Sequence, residues 1–208
     1  MITSLSVTDF LDELASSSPA PGGGSVSALA ASLGAALTSM VCRLTIGKKK
    51  YSDVQGEMEK VLKQSEELRA QFNAIIDEDT AAFNKIMAAY GLPKDTEEQK
   101  VKRTAEIQKA TKTATLVPLR LIELCIKALE LVKIIVEKGN QNSLSDAGVA
   151  ALVLHAGGEG AALNVKINLG SLSDISFVAQ TKTKVEHYRI SLETFTSDIL
   201  AYVNKHLA

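Results

Sequence analysis

Among the 208 residues, the side chain best placed for chemistry is Asp79. The apolar residues Phe72, Ile76, Phe83, Ile86 and Tyr90 recur at the period of one helical face, and Asp79 fills the gap between Ile76 and Phe83. Its neighbours Asp77 and Glu78 point away from that face. A carboxylate among apolar side chains is costly unless it is paired or hydrogen-bonded. Two readings follow. Asp79 is ion-paired to an Arg or Lys of a neighbouring helix, or it lines a cavity where desolvation raises its pKa towards that of a general acid or base. Periodicity does not choose between them.

A second feature is Pro21-Gly22-Gly23-Gly24-Ser25. Three glycines let a ligand approach the main chain, and the N–H groups of a helix start favour a negative group. The run is not a phosphate-binding loop, because no Gly-Lys-Ser/Thr follows it, and no strand precedes it as a dinucleotide site requires. A sharp turn for tight packing explains it equally well.

A third cluster is polar. Asn140, Asn142, Ser145 and Asp146 gather at a helix start, and Asn164 and Asn168 stand four apart near the end of the same helical stretch. Helix capping accounts for Ser145 or Asp146 but not for both asparagines. Such amides are either members of a buried network or readers of a heteroaromatic ring with alternating donors and acceptors. Lys48, Lys49 and Lys50 form the one strong basic run, by default a solvated helix end. As ligands they suit an acidic tail, but they lie ~30 Å along a helix from Ser25, so only a partner subunit brings them to the glycine loop. His155, His187 and His206 are too dispersed for a metal site, and no metal is expected. Cys42 and Cys125 sit in apolar runs and read as reduced core thiols.

The elements that must position these residues are helical. Ala and Leu dominate, aromatic residues are 4%, Trp is absent, and no alternating strand pattern of useful length occurs. A short helix is predicted over about Thr8–Ala15. Ser25 suits an N-cap for a helix from Val26 to about Leu44, ended by Gly47. Ser52 and Gln55 have capping-box spacing for a helix reaching Tyr90. At ~1.5 Å per residue it spans nearly 60 Å, against ~45 Å for a globule of this chain length. Either it breaks near Gly56 or the bundle is elongated and hides its excess apolar length in a homodimer. Thr96 and Gln99 form another capping box, opening a helix to about Lys138 with a kink or restart at Pro118. Ser145 or Asp146 caps a helix to about Val165, and Ser173 or Asp174 begins a last one to the C-terminus. The fold class expected is all-α, an elongated multi-helix bundle with long antiparallel helices, dimeric, with residues 1–208 as one domain.

Composition narrows the partners. With 23 basic and 24 acidic residues the net charge is −1, which gives no reason to expect nucleic acid. Residues 26–42 carry no charge, but serines, a threonine and a glycine dilute them, so they read as a core helix rather than a membrane span. Met1-Ile2-Thr3-Ser4-Leu5 shows no secretory signal, and a cytoplasmic location is expected.

In order and spacing these segments resemble the formiminotetrahydrofolate cyclodeaminase / methenyltetrahydrofolate cyclohydrolase family. The resemblance runs from Pro19-Ala20-Pro21-Gly22-Gly23-Gly24-Ser25-Val26 through Asp79-Thr80-Ala81-Ala82-Phe83, Leu92-Pro93, Arg103 with Ala105, and Pro118-Leu119. It continues through Gly139-Asn140 and Ser145-Asp146 to Asn164-Val165 and Ile167-Asn168-Leu169. It implies a dimeric all-α enzyme acting on a tetrahydrofolate derivative without metal or redox cofactor, with no formiminotransferase domain preceding it. It places the catalytic acid/base at Asp79, and together with the residue patterns above it points to substrate binding at Pro21, Gly22, Gly23, Gly24, Ser25, Lys49, Arg103, Asn140, Asn142, Asp146, Asn164 and Asn168. The implied reaction closes 5-formiminotetrahydrofolate to 5,10-methenyltetrahydrofolate with release of ammonia. The alternative is cyclohydrolase action giving 10-formyltetrahydrofolate, and a second alternative is a helical folate-binding or assembly module without catalysis.

Overall fold

Ala- and Leu-rich segments punctuated by short polar caps form six α-helices in a computed structural model that describes residues 2–207; Met1 and Ala208 lie outside the described residues. The helices are α1 (Val7–Leu14), α2 (Gly23–Thr45), α3 (Gln55–Tyr90), α4 (Glu97–Lys138), α5 (Leu144–Leu169) and α6 (Ile175–His206). Short 3-10 turns cover Ile2–Ser4, Lys49–Val54 and Gln141–Ser143. No strand occurs among the described residues. The expected all-α bundle with long helices is what the chain adopts, and at ~1.5 Å per residue α3 and α4 are about 54 and 63 Å long.

Helix α2 is central, packed against α5 on one side and α3 on the other. It runs antiparallel to both. A β-carbon on Gly157 would press on Ser27 and Ala31, and one on Gly34 would overlap Leu154, so glycines set the close approach of α2 and α5. Against α3 the contact is polar: Ser25 meets Asp79, Ser32 donates to Asn73 (2.6 Å), and Ser39 pairs with Ser65 (2.7 Å). Three serines spaced by seven residues thus form a ladder inside an otherwise apolar core. This explains why α2, with a mean hydropathy of 1.6 and the length of a membrane span, is mostly buried.

Several boundaries differ from expectation. Ser25 is not the N-cap of α2; Gly22 is, and Ser25 lies inside the first turn because its hydroxyl turns to α3. The Ser52/Gln55 capping box does not form. Residues 49–54 make a 3-10 turn, and the Gln55 amide instead receives the Gly47 N–H (2.7 Å) and donates to the Tyr51 carbonyl (2.7 Å). Helix α3 shows no break at Gly56, and α4 passes through the buried Pro118 as one helix, held by packing on α3, α5 and α6. Neither Ser145 nor Asp146 caps α5; Asn140 caps the preceding 3-10 turn, and α5 extends to Leu169. The Thr96/Gln99 capping box and the Asp174 cap are present. Cys42 and Cys125 are both free and buried, which pushes the Cys42 thiol up to about 11 and raises that of Cys125 further.

Gly157→Ala should destabilise the fold by about 1–3 kcal/mol, because its new methyl meets the Ser27 carbonyl and a backbone cannot give way cheaply. Gly56→Ala, which meets nothing on the surface of α3, should stabilise by up to about 1 kcal/mol. Thermal unfolding monitored by circular dichroism checks the opposite signs.

Candidate functional site

Helix α2 begins at the level of Asp79 on α3. The N-cap residue Gly22 has no side chain to cap α2, and the Asp79 carboxylate of the neighbouring helix lies against this first turn. Its Oδ2 accepts the Ser25 hydroxyl at 2.9 Å, and the Ser25 backbone N–H faces the same group. The Ser25 Oγ also lies 3.3 Å from Thr80 Oγ1 and from the Ile76 carbonyl, which fixes its rotamer. A β-carbon on Gly24 would overlap the carboxylate, so the third glycine of the run has a steric cause.

Three consecutive acids therefore have three different fates. Asp77 receives the Ile2 N–H (2.7 Å) and the Thr3 hydroxyl, and Glu78 pairs with Arg120. Asp79 makes no ion pair among the described residues, which removes the first of its two readings. Burial pushes its carboxyl above the usual aspartate value, opposed by the hydrogen bonds from Ser25.

The face of Asp79 away from Ser25 borders a cleft of about 400 Å³. Its floor is Gly22, Gly23 and Gly24; one wall is Ala82, Phe83, Ile86, Met87 and Tyr90 of α3; Thr111 and Ala114 of α4 close the back. Asn164, Ile167 and Asn168 of α5 form the opposite wall. Asn164 is oriented by donating to the Gly160 carbonyl (2.8 Å), whereas the Asn168 amide has no intramolecular partner among the described residues. An apolar slot with two amides on one side and one unpaired carboxylic acid at its end is built to hold a flat polar heterocycle and to move a proton on it.

Residues 6–187 match the sequence profile of the family described as formiminotransferase-cyclodeaminase. The chain belongs to that family. It is 49% identical over 180 residues to the methenyltetrahydrofolate cyclohydrolase of Methylorubrum extorquens, the match covering 86% of each. It is 36% identical over 180 residues to the formimidoyltransferase-cyclodeaminase of Rattus norvegicus, but spans only 33% of that longer protein. The fold superposes on the crystal structure of formiminotetrahydrofolate cyclodeaminase from Thermotoga maritima with a TM-score of 0.90 and 31% identity, covering 100% of both chains.

The expected site residues fall in three places. Gly22, Gly23, Gly24, Ser25, Asp79, Asn164 and Asn168 converge on the cleft, with Pro21 buried beneath its floor. Arg103 stands at the rim, where Nε and Nη2 both donate to the Tyr90 carbonyl (3.1 and 2.9 Å) and brace the end of α3. Lys49, Asn140, Asn142 and Asp146 lie at the opposite end of α2, ~33 Å away within one subunit. Asn140 is engaged there: its N–H donates to Thr45 Oγ1 (2.8 Å) and its amide to the Leu44 carbonyl (3.1 Å). Sequence reasoning did not assign Thr111, Ala114 or Met87 to the cleft. The signal for Met87 was available in the apolar stripe running past Asp79 towards a helix end; nothing in the pattern of α4 marks Thr111.

Gly24→Ala should lower turnover by more than about 100-fold by displacing the carboxylate, with helicity retained. A second prediction concerns pH. Because the folded-state pKa of Asp79 is raised, its contribution to stability is present below the unfolded value and lost as pH rises through the folded one. The Tm of Asp79→Asn relative to wild type should therefore grow from about pH 4 to about pH 8; a difference that shrinks over this range would contradict the assignment.

Proposed function

We propose that the cleft carries out one-carbon chemistry between N5 and N10 of tetrahydrofolate, with Asp79 as the only general acid/base. The supporting observation is the half-buried, unpaired carboxyl of Asp79, held by Ser25 at the end of an apolar slot. The pterin lies along Phe83, Ile86 and Tyr90 with its donors and acceptors towards Asn164 and Asn168. In the closing reaction N10 attacks the formimino carbon, Asp79 takes the N10 proton, and returns it to the nitrogen that leaves as ammonia. In the hydrolytic reaction water attacks the methenyl carbon, Asp79 takes a proton from it, N5 gains a proton as its bond to carbon breaks, and one proton is released with 10-formyltetrahydrofolate. Both steps are redox-neutral and run through one tetrahedral carbon, so neither calls for a metal or redox cofactor.

Identity of 49% over nearly the full length of a cyclohydrolase favours the hydrolytic reading, while the ammonia-releasing one has the support of the Thermotoga fold. The chain acts as a homodimer in the cytoplasm, without nucleic acid or membrane, in keeping with its near-zero charge and largely buried α2.

Methenyltetrahydrofolate absorbance separates the reactions: its loss on adding the protein reports hydrolysis, and its appearance from 5-formiminotetrahydrofolate reports closure. Asp79→Asn should lower kcat by about 10²–10⁴-fold in whichever reaction occurs. The acid limb of the kcat/KM profile should lie above an ordinary aspartate value and vanish in that variant. Wild-type protein inert towards both folates would refute the proposal.

A further inference from the structure

Helices α2 and α5 share an outer face with no ordinary explanation in a monomer. Val26, Leu33 and Leu44 of α2 and Val149, Leu152, Leu163 and Ile167 of α5 are between 37% and 74% exposed. On α2 the half-buried Leu29, Leu37 and Met40 complete the stripe at steps of three or four, and no charged residue occurs between Gly23 and Cys42. The glycine contacts that press α2 against α5 make the two stripes one surface. Two helices ~10 Å wide and ~30 Å long present about 600 Å², at the upper limit of what monomers usually leave in one apolar patch and approaching the ~800 Å² per partner of a stable dimer.

We propose that the homodimer is built on this face, about a two-fold axis that sets α2 antiparallel to its twin. In this arrangement Lys48, Lys49 and Lys50 of one copy stand at the mouth of the other copy's cleft and bind the anionic end of the substrate. The identification of that end with the glutamate carboxylates of a folate rests on the proposed function. Four observations lead here. A closed dimer brings like against like, so the alternative parallel pairing would lay three lysines on three lysines. The antiparallel pairing instead sets them towards the end that carries Asp9, Asp12 and Glu13 on α1 and the start of α2. None of the three lysines makes an ion pair within its own chain among the described residues. Ile167 belongs both to the face and to the cleft wall, so a partner on the face reaches the rim. Finally, the cleft has no Lys or Arg in its own lining, and about 400 Å³ takes a pterin and its linker but leaves the tail outside.

The arrangement is tested in two parts. In sedimentation the wild type should be a dimer and Leu33→Glu/Leu152→Glu a monomer of unchanged helicity; a wild-type monomer at every concentration, or one that instead floats with lipid vesicles, overturns the pairing. Should the double variant not fold, oxidation of Val26→Cys/Leu44→Cys decides the same point: it should link two chains, whereas linkage by Val26→Cys alone would mean a parallel dimer. In kinetics on 5,10-methenyltetrahydrofolate or 5-formiminotetrahydrofolate, Lys48→Gln/Lys49→Gln/Lys50→Gln should raise KM by about 10-fold or more with little change in kcat. Co-expressed with Asp79→Asn, it should regain wild-type KM in about one site in four, because one site of each hybrid dimer has both intact groups. Hybrids without such sites would place the lysines in the same subunit's site or in none, and an increase in KM from Lys85→Gln/Lys102→Gln/Lys109→Gln instead would move the tail to the outer groove between α3 and α4. If wild-type protein turns over neither folate, the function fails while the sedimentation result still decides the pairing.

Discussion

One interaction sets the site: the Asp79 carboxylate held against the first turn of α2 by the Ser25 hydroxyl. The N–H groups at a helix start and the positive end of its dipole favour an anion, while withdrawal from water disfavours it. The second effect is larger here, so the carboxyl ends above its ordinary value, though less far than burial alone would take it. A group in that balance changes protonation more readily than a fully solvated aspartate or a rigidly ion-paired one. Gly24 is the condition for it, because any side chain there would occupy the carboxylate's position. The glycine run is thus not chiefly a cradle for phosphate. It is the space in which an acid can touch a helix end.

The composition of α2 follows from three simultaneous demands on one helix. Ser25, Ser32 and Ser39 serve α3, Ser27, Ala31 and Gly34 serve α5, and Val26, Leu33 and Leu44 point outward. Small polar residues suit the first interface because their hydroxyls find partners on α3 or return to the helix backbone, as Thr38 and Thr45 do. Glycine and alanine suit the second because backbones approach closely there. Neither needs charge, which is why the helix passes for a membrane span by composition while lying in the core of a bundle.

Helix positions were legible from periodicity and stop signals: Gly91, Gly139 and Gly170 end three helices, and Thr96 with Gln99 opens one. Caps were less so, since Ser25, Ser52 and Ser145 each have the right type for a cap but their local offer competed with another partner or an intervening 3-10 turn. Asp79 was legible as an anomaly on an apolar face, but its state was not, because whether a base lies opposite depends on a helix fifty residues away in sequence. The structural role of Asn140 was hidden for a related reason. Its hydrogen bonds to Leu44 and Thr45 lock the far end of α2 to the start of α5, a tertiary clamp with no local signature.

The cleft itself has a geometric origin in helix length. Helix α2 has 23 residues against 36 in α3 and 42 in α4. Its first turn lies opposite Asp79, so the last turns of α3, from Thr80 to Tyr90, extend past it with no partner on that side. The apolar stripe of α3 continues through this overhang: Phe72 and Ile76 are fully in the core, whereas Phe83 and Ile86 are half-buried and Tyr90 is exposed. A bundle whose helices matched in length would have filled the volume with side chains. The missing turns of α2 leave it open, floored by the Pro19–Gly22 loop and the start of α2 and bounded by α5. An elongated bundle with one short central helix therefore creates, by the same mismatch, both a chamber for an aromatic ligand and a helix terminus aimed at the one carboxylate that borders it.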